Sequence, residues 1–488
     1  MAAETFLSLH PATDEEIGRF PIVSPEEVDQ AVKRAISAGI WWRELSWKER
    51  ESRLLKWNSL LTKRIDEIAT LISKETGKPL SDARLEATLA IAHLSWAAKH
   101  AAKILQSESR APGLLMANMS AKVEHVPFGV IGVIGPWNYP LFTPMGSIAY
   151  ALAAGNAVVF KPSEYTPAVG QFLASTLAEV VPEVPLLQVV TGFASTGEAL
   201  CRSKVGKIAF TGSTATAKKV AAVCAENLKP MIAECGGKDA VIVASDANLA
   251  LAAELTLWAA MSNAGQSCIA AERVYVERPV ATEFVKLISQ VAQKLHPGSE
   301  ANSSYGALTM ARQAEIIESH IKDAIARGGK AVVGGEESVQ RPYILPVIIT
   351  DVPEDSLAMQ EETFGPTICI NAVDSIDEAI QLSNESRYGL GASVWSKDHG
   401  DEIASKLRCG MVSVNSAFAF AAVAGVPFGG VGDSGYGRIH GPEGLLEFTF
   451  ARSVVSTRFK APISFTTFMR TSKTDSLINK IVQILHGH

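Results

Sequence analysis

The sequence predicts an α/β protein with two doubly wound parallel-sheet domains and a small β ribbon. From residue 130 onward, short apolar runs alternate with helical patterns, which is typical of βαβ units and a parallel sheet. A second series of the same kind begins near Lys238. At 488 residues the chain is also too long for one core of typical size, so two or three packed units are expected.

The front of the chain is predicted to be helical. Ser24-Pro25-Glu26-Glu27 combines a capping residue, a proline in the first turn and a glutamate three residues after the cap, which indicates a helix start. Residues 47–77 carry apolar side chains at helical spacing and predict one long amphipathic helix. A further helix is expected over residues 81–105.

The first βαβ series places polar or glycine-containing segments directly after its strands. Because the carboxyl ends of parallel strands meet at one edge of a sheet, the segments after four of these strands should converge there. The predicted strands are 130–134, 157–160, 187–190, 207–210 and 231–233.

The second series predicts another covered sheet. Its expected helices lie near 247–262, 280–295, 311–327 and 375–385, and its expected strands are 240–243, 274–276, 331–333, 368–370, 392–395 and 412–414. Outside both series, residues 114–126 and 448–459 alternate in polarity, so they could pair as a ribbon. Residues 475–485 predict a terminal helix with one apolar side, which docks on the protein or, alternatively, touches a membrane.

Composition indicates an ordinary soluble globular protein. Hydrophobic residues make up 47%, charged residues 20%, and the net charge is -6, so nothing favours nucleic acid as a partner. Six separated cysteines without a C-x-x-C pair suggest neither a disulfide framework nor a zinc site. The start lacks the apolar segment of a signal peptide, and prolines interrupt the uncharged stretch 126–160, so we expect a cytoplasmic protein without an integral membrane segment.

One thiol lies in a setting that could make it a nucleophile. Cys268 follows a glycine-containing turn within residues 262–270, although a lone cysteine is more often a buried small hydrophobe. Glu234 ends a predicted strand before Gly236-Gly237 and could act as a base, or be only a strand-end charge. The Asn138 amide could hold an oxyanion, or only supply turn hydrogen bonds.

A second feature indicates a nucleotide. Residues 211–217 follow a strand and open a helix, where free N–H groups favour a pyrophosphate, but the segment is not G-x-G-x-x-G, so an ordinary strand-to-helix turn remains possible. Glu164, just after the second strand, could accept hydrogen bonds from a ribose and would repel a 2′-phosphate, which favours NAD over NADP. Lys161 and Ser163 could soften that preference.

Seven motifs, in order and with the expected spacings, resemble the aldehyde dehydrogenase superfamily over essentially the whole chain. They are Pro136-Trp137-Asn138, Lys161-Pro162-Ser163-Glu164, Phe210-Thr211-Gly212-Ser213-Thr214, Glu234-x-Gly236-Gly237-Lys238, Asn263-Ala264-Gly265-Gln266-Ser267-Cys268, Glu362-Thr363-Phe364-Gly365-Pro366 and Pro427-Phe428-Gly429-Gly430. Seven motifs in register are far more specific than any one of them.

The resemblance implies NAD(P)-dependent oxidation of an aldehyde to its acid. Cys268 would attack the aldehyde carbon, and Asn138 with the Cys268 N–H would hold the oxyanion. Hydride would pass to nicotinamide, after which Glu234 would activate water to hydrolyse the thioester. Glu362 would bind the nicotinamide ribose, with Phe364 against the ring, and no metal is expected.

The resemblance also implies further cofactor contacts and a three-part organisation. A cofactor-binding domain (1–108 and 127–235), a catalytic domain (236–446), an oligomerisation ribbon (109–126 and 447–462) and a tail with a short helix (463–488) would form a homodimer or homotetramer. The remaining cofactor-binding candidates are Ile134, Pro136, Trp137, Lys161, Ser163, Glu164, Gly192, Gly197, Phe210, Thr211, Gly212, Ser213, Thr216, Glu234 and Gly236.

Several positions depart from the superfamily pattern. Cys235 and Ala217 replace a common Leu and Gly without removing a group that the mechanism uses. Gly146-Ser147 and Ile439 stand where many relatives carry Trp-Lys and Glu, so a Lys and Glu proton exit route is in doubt.

The expected substrate is an apolar aldehyde, either aromatic or aliphatic with a medium to long chain. Its predicted pocket lacks Arg or Lys to pair with a carboxylate. Succinic semialdehyde is the alternative, because residues 435–444 resemble a subgroup that includes such enzymes, and a CoA-acylating or non-catalytic relative is the remote one. The predicted pocket consists of Tyr139, Phe142, Gly146, Ser267, Ile269, Phe418, Phe420 and Phe428.

Overall fold

The computed structural model describes residues 4–300, 302–461 and 466–487. Four stretches lie outside the described residues: 1–3 in the predicted cofactor domain, 301 in the predicted catalytic domain, 462–465 at the boundary of the predicted ribbon and tail, and 488 at the end of the predicted tail. The chain divides into two compact units. One contains residues 1–104 and 127–449, and the other contains residues 105–126 and 450–488.

Strands and helices alternate through most of the chain. The strands are β1 Thr5–Leu9, β2 Glu16–Pro21, β3 Glu108–Arg110, β4 Met119–Pro127, β5 Val130–Ile134, β6 Ala157–Lys161, β7 Leu187–Val189, β8 Lys207–Thr211, β9 Met231–Glu234, β10 Asp239–Val243, β11 Ala271–Glu277, β12 Lys330–Val333, β13 Val339–Gln340, β14 Tyr343–Ile344, β15 Val347–Thr350, β16 Thr367–Val373, β17 Gly391–Trp395, β18 Met411–Val414, β19 Gly435–Tyr436 and β20 Thr449–Thr457. The helices are α1 Pro25–Glu44, α2 Trp47–Lys63, α3 Ile65–Thr76, α4 Leu80–Ile104, α5 Phe142–Ala153, α6 Pro167–Val180, α7 Ala194–Arg202, α8 Thr214–Glu226, α9 Leu249–Met261, α10 Arg278–Ala292, α11 Gln313–Ala326, α12 Leu357–Gln360, α13 Ile376–Asn384, α14 Gly400–Ser405, α15 Ala419–Ala422, α16 Gly441–Glu447 and α17 Ser472–His486.

The front of the chain is not wholly helical, so that prediction was wrong in part. The strands β1 and β2 form an antiparallel hairpin before the first helix. Both strands are short, and Ser8 is the one buried residue of the hairpin. The hairpin therefore leaves little apolar alternation in the sequence. The helix start at Ser24 agrees with the prediction, because Ser24 and Glu27 form a reciprocal capping box.

The single helix predicted over residues 47–77 is two helices, α2 and α3. They meet at Arg64, whose backbone (φ -104°, ψ 22°) leaves the helical region. The Arg64 guanidinium bonds Glu67 and, across the fold, Glu179. Apolar spacing continues in phase through this break, which explains why periodicity alone did not show it.

Two mixed but mainly parallel sheets form the centre of the first unit, as the predicted fold class requires. One has the order β19-β9-β8-β5-β6-β7, with β19 antiparallel at its edge. The other has the order β12-β15-β16-β11-β10-β17-β18, with β12 antiparallel at its edge. Strands β5, β6 and β10 are buried along their whole length, which accounts for their continuous apolar runs.

The second unit is a three-stranded antiparallel ribbon of order β20-β4-β3, followed by α17. The predicted strand 114–126 begins later than expected, at Met119, because Leu114–Met116 is a 3-10 turn. Arg452 bonds Glu124 across the ribbon at 2.6 Å. Within the described residues, no helix combines the length and apolar character needed to span a membrane.

Candidate active site

The turn that carries Cys268 is held in an uncommon backbone conformation. After α9, Asn263 and Ala264 both have positive φ (53° and 56°). Gly265 also has positive φ, and a Cβ there would overlap the carbonyl of Gly365. Asn263 Nδ2 donates to the Asn138 and Gln266 carbonyls, both at 3.1 Å. These constraints leave Cys268 half-buried, on the wall of a cleft.

Asn138 approaches this turn from the loop after β5. Its side chain is buried, and Nδ2 donates to Gln266 O at 3.0 Å. An amide nitrogen carries two hydrogens, so this bond leaves one for an oxygen atom of a substrate. The predicted amide therefore lies beside the backbone that leads to the thiol.

Glu234 lies at the end of β9 with its carboxylate uncompensated. It is 3% exposed, and neither oxygen has a hydrogen-bond partner among the described residues. Gly429 has φ +148°, and a Cβ there would lie 2.6 Å from Glu234 Oε1. Burial raises the pKa of Glu234 well above its ordinary value, with Arg438 opposing the rise. A buried, unpaired carboxylate on a cleft wall suits a proton acceptor.

The surroundings of the Cys268 thiol favour its protonated form. Burial raises the pKa of Cys268 well above its ordinary value, and the Glu362, Asp239 and Glu234 carboxylates raise it further. Only a thiolate is strongly nucleophilic, so activation requires positive charge to enter the cleft or a proton to leave it.

A cleft of about 720 Å³ joins the predicted catalytic and cofactor-binding residues. It runs along the carboxyl ends of β5, β6, β8 and β9, where the sequence predicted convergence. Gly192 is not among its lining residues; a Cβ there would overlap Thr196. The predicted residues that line the cleft are Ile134, Pro136, Trp137, Asn138, Lys161, Ser163, Glu164, Gly197, Phe210, Thr211, Gly212, Ser213, Thr216, Glu234, Gly236, Cys268, Glu362 and Phe364.

These residues fit a dinucleotide. The first turn of α8 opens into the cleft and Ser213 caps it through Thr216 N, so backbone N–H groups can meet a pyrophosphate. Glu164 is half-exposed, with Oε2 3.7 Å from Lys161 Nζ and 3.4 Å from Ser163 Oγ, which leaves its other oxygen for a ribose. Among the described positions, no three His, Cys, Asp or Glu side chains are grouped to hold a metal ion.

Sequence reasoning missed two groups of cleft residues. Lys219, Val220 and Val223 follow Thr216 at helical spacing on α8, so a helical-face argument could have found them. Met310, Arg312, Gln313 and Ile316 come from the start of α11 and the loop before it, and no local pattern marks them.

The residues predicted to bind the substrate are separate from the lining of this cleft. Phe142 and Phe428 each pack 5.5 Å from the His440 ring, and a Cβ at Gly146 would lie 2.6 Å from His440 Nε2. Lys78 Nζ lies 4.0 Å from the centroid of the Tyr139 ring, and burial raises the pKa of Tyr139, while a hydrogen bond with Ser267 opposes that rise. Ile269 and Phe420 are buried, and Phe418 packs 5.3 Å from Trp258.

A buried histidine pair lies among these aromatic residues and had no sequence signal. The His93 and His440 rings are 3.9 Å apart, and both residues are fully buried. His93 Nε2 lies 3.1 Å from the Ala421 carbonyl, so that nitrogen carries the hydrogen. Both nitrogens of His440 lack partners in the part of the chain that the structure describes. Burial lowers the pKa of His93 to about 4 and that of His440 well below its ordinary value.

Replacing His440 by leucine should make the protein more tolerant of acid. The unfolded chain protonates His440 near pH 6.5 but the folded chain does not, so wild-type stability falls as the pH decreases below about 6.5, by up to about 1.4 kcal/mol per pH unit for each such group. The variant lacks this loss. Urea unfolding at pH 7, 6 and 5 gives the free energy of unfolding of both proteins. A difference between them that does not change with pH would contradict the assignment of His440 as neutral in the folded chain.

Comparison with known proteins gives the family. Residues 1–454 match the aldehyde dehydrogenase family. The chain is 35% identical over 463 residues to the 4,4'-diapolycopene aldehyde oxidase of Methylomonas sp, covering 94% of this chain and 87% of the relative. It is 36% identical over 453 residues to a putative succinate-semialdehyde dehydrogenase [NADP(+)] of Mycolicibacterium smegmatis, covering 91% of this chain and 87% of that relative.

A solved structure agrees with both relatives. The P. syringae indole-3-acetaldehyde dehydrogenase AldA, in complex with NAD+ and IAA, superposes with a TM-score of 0.89 at 30% identity, covering 93% of each chain. The match over most of the sequence confirms the resemblance that the seven motifs indicated. The chain belongs to the aldehyde dehydrogenase family of oxidoreductases.

Proposed function

We propose that the protein oxidises an apolar aldehyde to its carboxylic acid, with NAD(P)+ as the acceptor. The observation that carries this proposal is the meeting of Cys268, Asn138 and Glu234 at one cleft from three separate parts of the chain. A thiol, an oxyanion donor and an uncompensated carboxylate are the groups that such chemistry uses.

The three residues act in sequence. Once the Cys268 thiol has lost its proton to solvent, the thiolate forms a C–S bond to the carbonyl carbon, and Asn138 with the Cys268 N–H holds the oxygen that becomes negative. When bound, NAD(P)+ would supply the acceptor for the hydride of that carbon, and Cys268 would then carry a thioester. Glu234 then takes a proton from water, whose oxygen attacks the thioester carbon. The C–S bond breaks, giving the acid and the thiolate.

Glu164 supports NAD as the preferred cofactor, and NADP remains possible. The carboxylate would repel a 2′-phosphate, whereas Lys161 and Lys219 line the same cleft and would attract one. The named relatives include both kinds, with NADP(+) in one name and NAD+ bound in the solved structure.

Replacing Glu164 by glutamine should shift the preference toward NADP by about 10-fold, since removal of one like charge is worth about 1.4 kcal/mol. The ratio of kcat/KM for NAD+ and NADP+ measures this shift. Glu198→Gln is the matched control, because Glu198 is another cleft carboxylate but is bonded to Arg202. An unchanged ratio in Glu164→Gln would exclude this carboxylate as the selector.

The predicted substrate residues include no Arg or Lys to pair with a carboxylate, which favours an aromatic or medium to long aliphatic aldehyde; because they lie outside the lining of the cleft, this choice rests on their composition. The relative named for diapolycopene aldehyde is consistent with this choice. Succinic semialdehyde is the second candidate, favoured by the name of the mycobacterial relative. A CoA-acylating or non-catalytic role is the remote alternative, against which the presence of both Cys268 and Glu234 argues.

A panel of aldehydes tests this proposal. Benzaldehyde, octanal and succinic semialdehyde are each assayed with NAD+ and NADP+, with and without CoA. We expect the highest kcat/KM for octanal or benzaldehyde and no requirement for CoA. A higher value for succinic semialdehyde would reverse the substrate assignment, and strict dependence on CoA would reverse the assignment of water as the final acceptor.

The three-part organisation and assembly also remain proposals. We assign the ribbon of β3, β4 and β20 to subunit contact, because Phe450 and Val455 on β20 and Phe459 just after it are exposed. Light scattering on the purified protein should give the mass of a homodimer or homotetramer, and a monomeric mass would contradict this role.

A further inference from the structure

Two buried Lys–Glu pairs lie behind the cleft and share one arrangement. Lys78 Nζ is 2.7 Å from Glu86 Oε2, and Lys238 Nζ is paired with Glu272 Oε2. All four side chains are at most 3% exposed. In each pair the carboxylate accepts hydrogen bonds from two consecutive backbone N–H groups of a loop that reaches the cleft.

Glu272, on β11, holds the loop that carries Glu362 and Phe364. Its carboxylate accepts from Thr363 N at 2.8 Å and from Phe364 N at 3.0 Å. Lys238 Nζ also donates to Thr363 Oγ1, at 3.2 Å. Thr363 is therefore fixed through both its backbone and its side chain, while its two neighbours line the cleft.

The loop of residues 362–364 has a strained backbone and is fixed by several further hydrogen bonds. Phe364 has φ +53°, which is costly for an aromatic residue. Gln313 Nε2 donates to Thr363 O at 2.8 Å, and Gly237 N donates to Glu362 Oε1 at 3.0 Å. Such strain persists where the surroundings determine the conformation and where function benefits from it.

Glu86, on α4, holds the loop that carries Asn138. Its Oε1 accepts from Leu141 N at 2.8 Å and from Phe142 N at 3.1 Å. Lys78 Nζ donates to Asn138 O at 2.7 Å. The backbone of the oxyanion residue and the first turn after it are thus fixed by one ion pair.

Stability alone does not account for these pairs. Desolvating two charges usually costs as much as their attraction returns, and apolar replacement of a buried ion pair is often neutral or stabilising. What an apolar pair cannot supply is acceptor oxygen for two consecutive N–H groups. The feature that the pairs do provide is a fixed position for the two loops whose N–H groups they bind.

We propose that Glu86 and Glu272 are positioning residues for two different parts of the reaction. Glu86 with Lys78 fixes Asn138 for addition of the thiolate, and Glu272 with Lys238 fixes Glu362 and Phe364 for the nicotinamide end of the cofactor. This inference rests on the function proposed above and adds the residues that set its geometry.

Glu272→Gln and Glu86→Gln form a matched pair of tests. Three quantities are measured for each: the Kd of NADH by fluorescence, aldehyde oxidation, and hydrolysis of p-nitrophenyl acetate. In the last reaction Cys268 displaces p-nitrophenolate and water releases acetate, so no hydride moves.

The two variants should fail in different assays. Glu272→Gln should raise the Kd of NADH about 10-fold and lower aldehyde oxidation about 100-fold, with ester hydrolysis within about twofold of wild type. Glu86→Gln should lower ester hydrolysis and aldehyde oxidation about 100-fold each, with the Kd of NADH nearly unchanged. Equal losses in all three assays for both variants, or no loss, would overturn the proposal.

Two double variants separate positioning from folding. Lys238→Met/Glu272→Leu and Lys78→Met/Glu86→Leu remove the acceptor oxygens without leaving a lone buried lysine, so their Tm should recover relative to the single variants while each assay defect remains. Recovery of activity together with Tm would show that the pairs are only structural. If wild type binds NADH and hydrolyses the ester but oxidises no aldehyde, the proposed function fails. The different effects of the two Lys–Glu pairs on NADH binding and on ester hydrolysis can still be measured in that case.

Discussion

Replacing Cys268 by alanine is expected to lower aldehyde oxidation by at least about 10⁴-fold, because alanine cannot form the C–S bond of the proposed intermediate and the other two thiols on the cleft, Cys201 and Cys235, are buried. The thiol lies on the cleft wall next to the residue that would hold the oxyanion, and its turn is fixed by Asn263 and Gly265. NADH formation with the best aldehyde of the panel measures the loss. The Kd of NADH should stay close to wild type.

Cys409→Ala is the matched control. This thiol is also half-buried, but it lies outside the lining of the cleft and contacts the Met411 carbonyl. We expect activity within about twofold of wild type, as is usual for a substitution away from the reacting groups. Oxidation that survives in Cys268→Ala would remove the nucleophile assignment.

Replacing Glu234 by glutamine is expected to lower steady-state turnover about 1,000-fold while leaving the first turnover. Glutamine keeps the shape of the side chain but cannot accept a proton from water, and the proposed base acts only after hydride transfer. Rapid mixing with aldehyde should therefore show a burst of one NADH per active site, followed by very slow turnover. The acyl group on Cys268 should be visible by mass spectrometry.

The pH dependence gives a second measure of the same residue. Glu234 must be deprotonated to act, and burial raises its pKa, so wild-type turnover should fall as the pH decreases through that raised pKa. The residual turnover of Glu234→Gln should lack this limb. Loss of the burst together with turnover would instead place Glu234 at or before hydride transfer.

Much of the fold and the site could be predicted from local pattern and from the motifs. The buried strands β5 and β6 are visible in the sequence as continuous apolar runs, and Ser24 with Glu27 marks the start of α1. The convergence of Glu234 and Asn138 followed from the rule that parallel strands end at one edge.

The parts that could not be predicted depend on contacts between distant residues. The break between α2 and α3 leaves the apolar spacing in phase, and the short β1–β2 hairpin has too few residues for a pattern. His93 and His440 meet across more than three hundred positions, so no spacing rule joins them. Glu272 stands before the predicted strand 274–276 with no pattern to mark it, because its partner Thr363 lies 91 positions away.

The turn before Cys268 has a consequence for when the enzyme becomes active during folding. Asn263 reaches Asn138 across 125 positions, and Gln266 accepts a hydrogen bond from Thr309, whose hydroxyl in turn binds Thr76 O across 233 positions. Contacts of such long sequence separation form late, because their loop-closure entropy must first be overcome. We therefore expect catalytic competence to appear late in folding, so that its recovery would report assembly of the whole first unit rather than of either sheet.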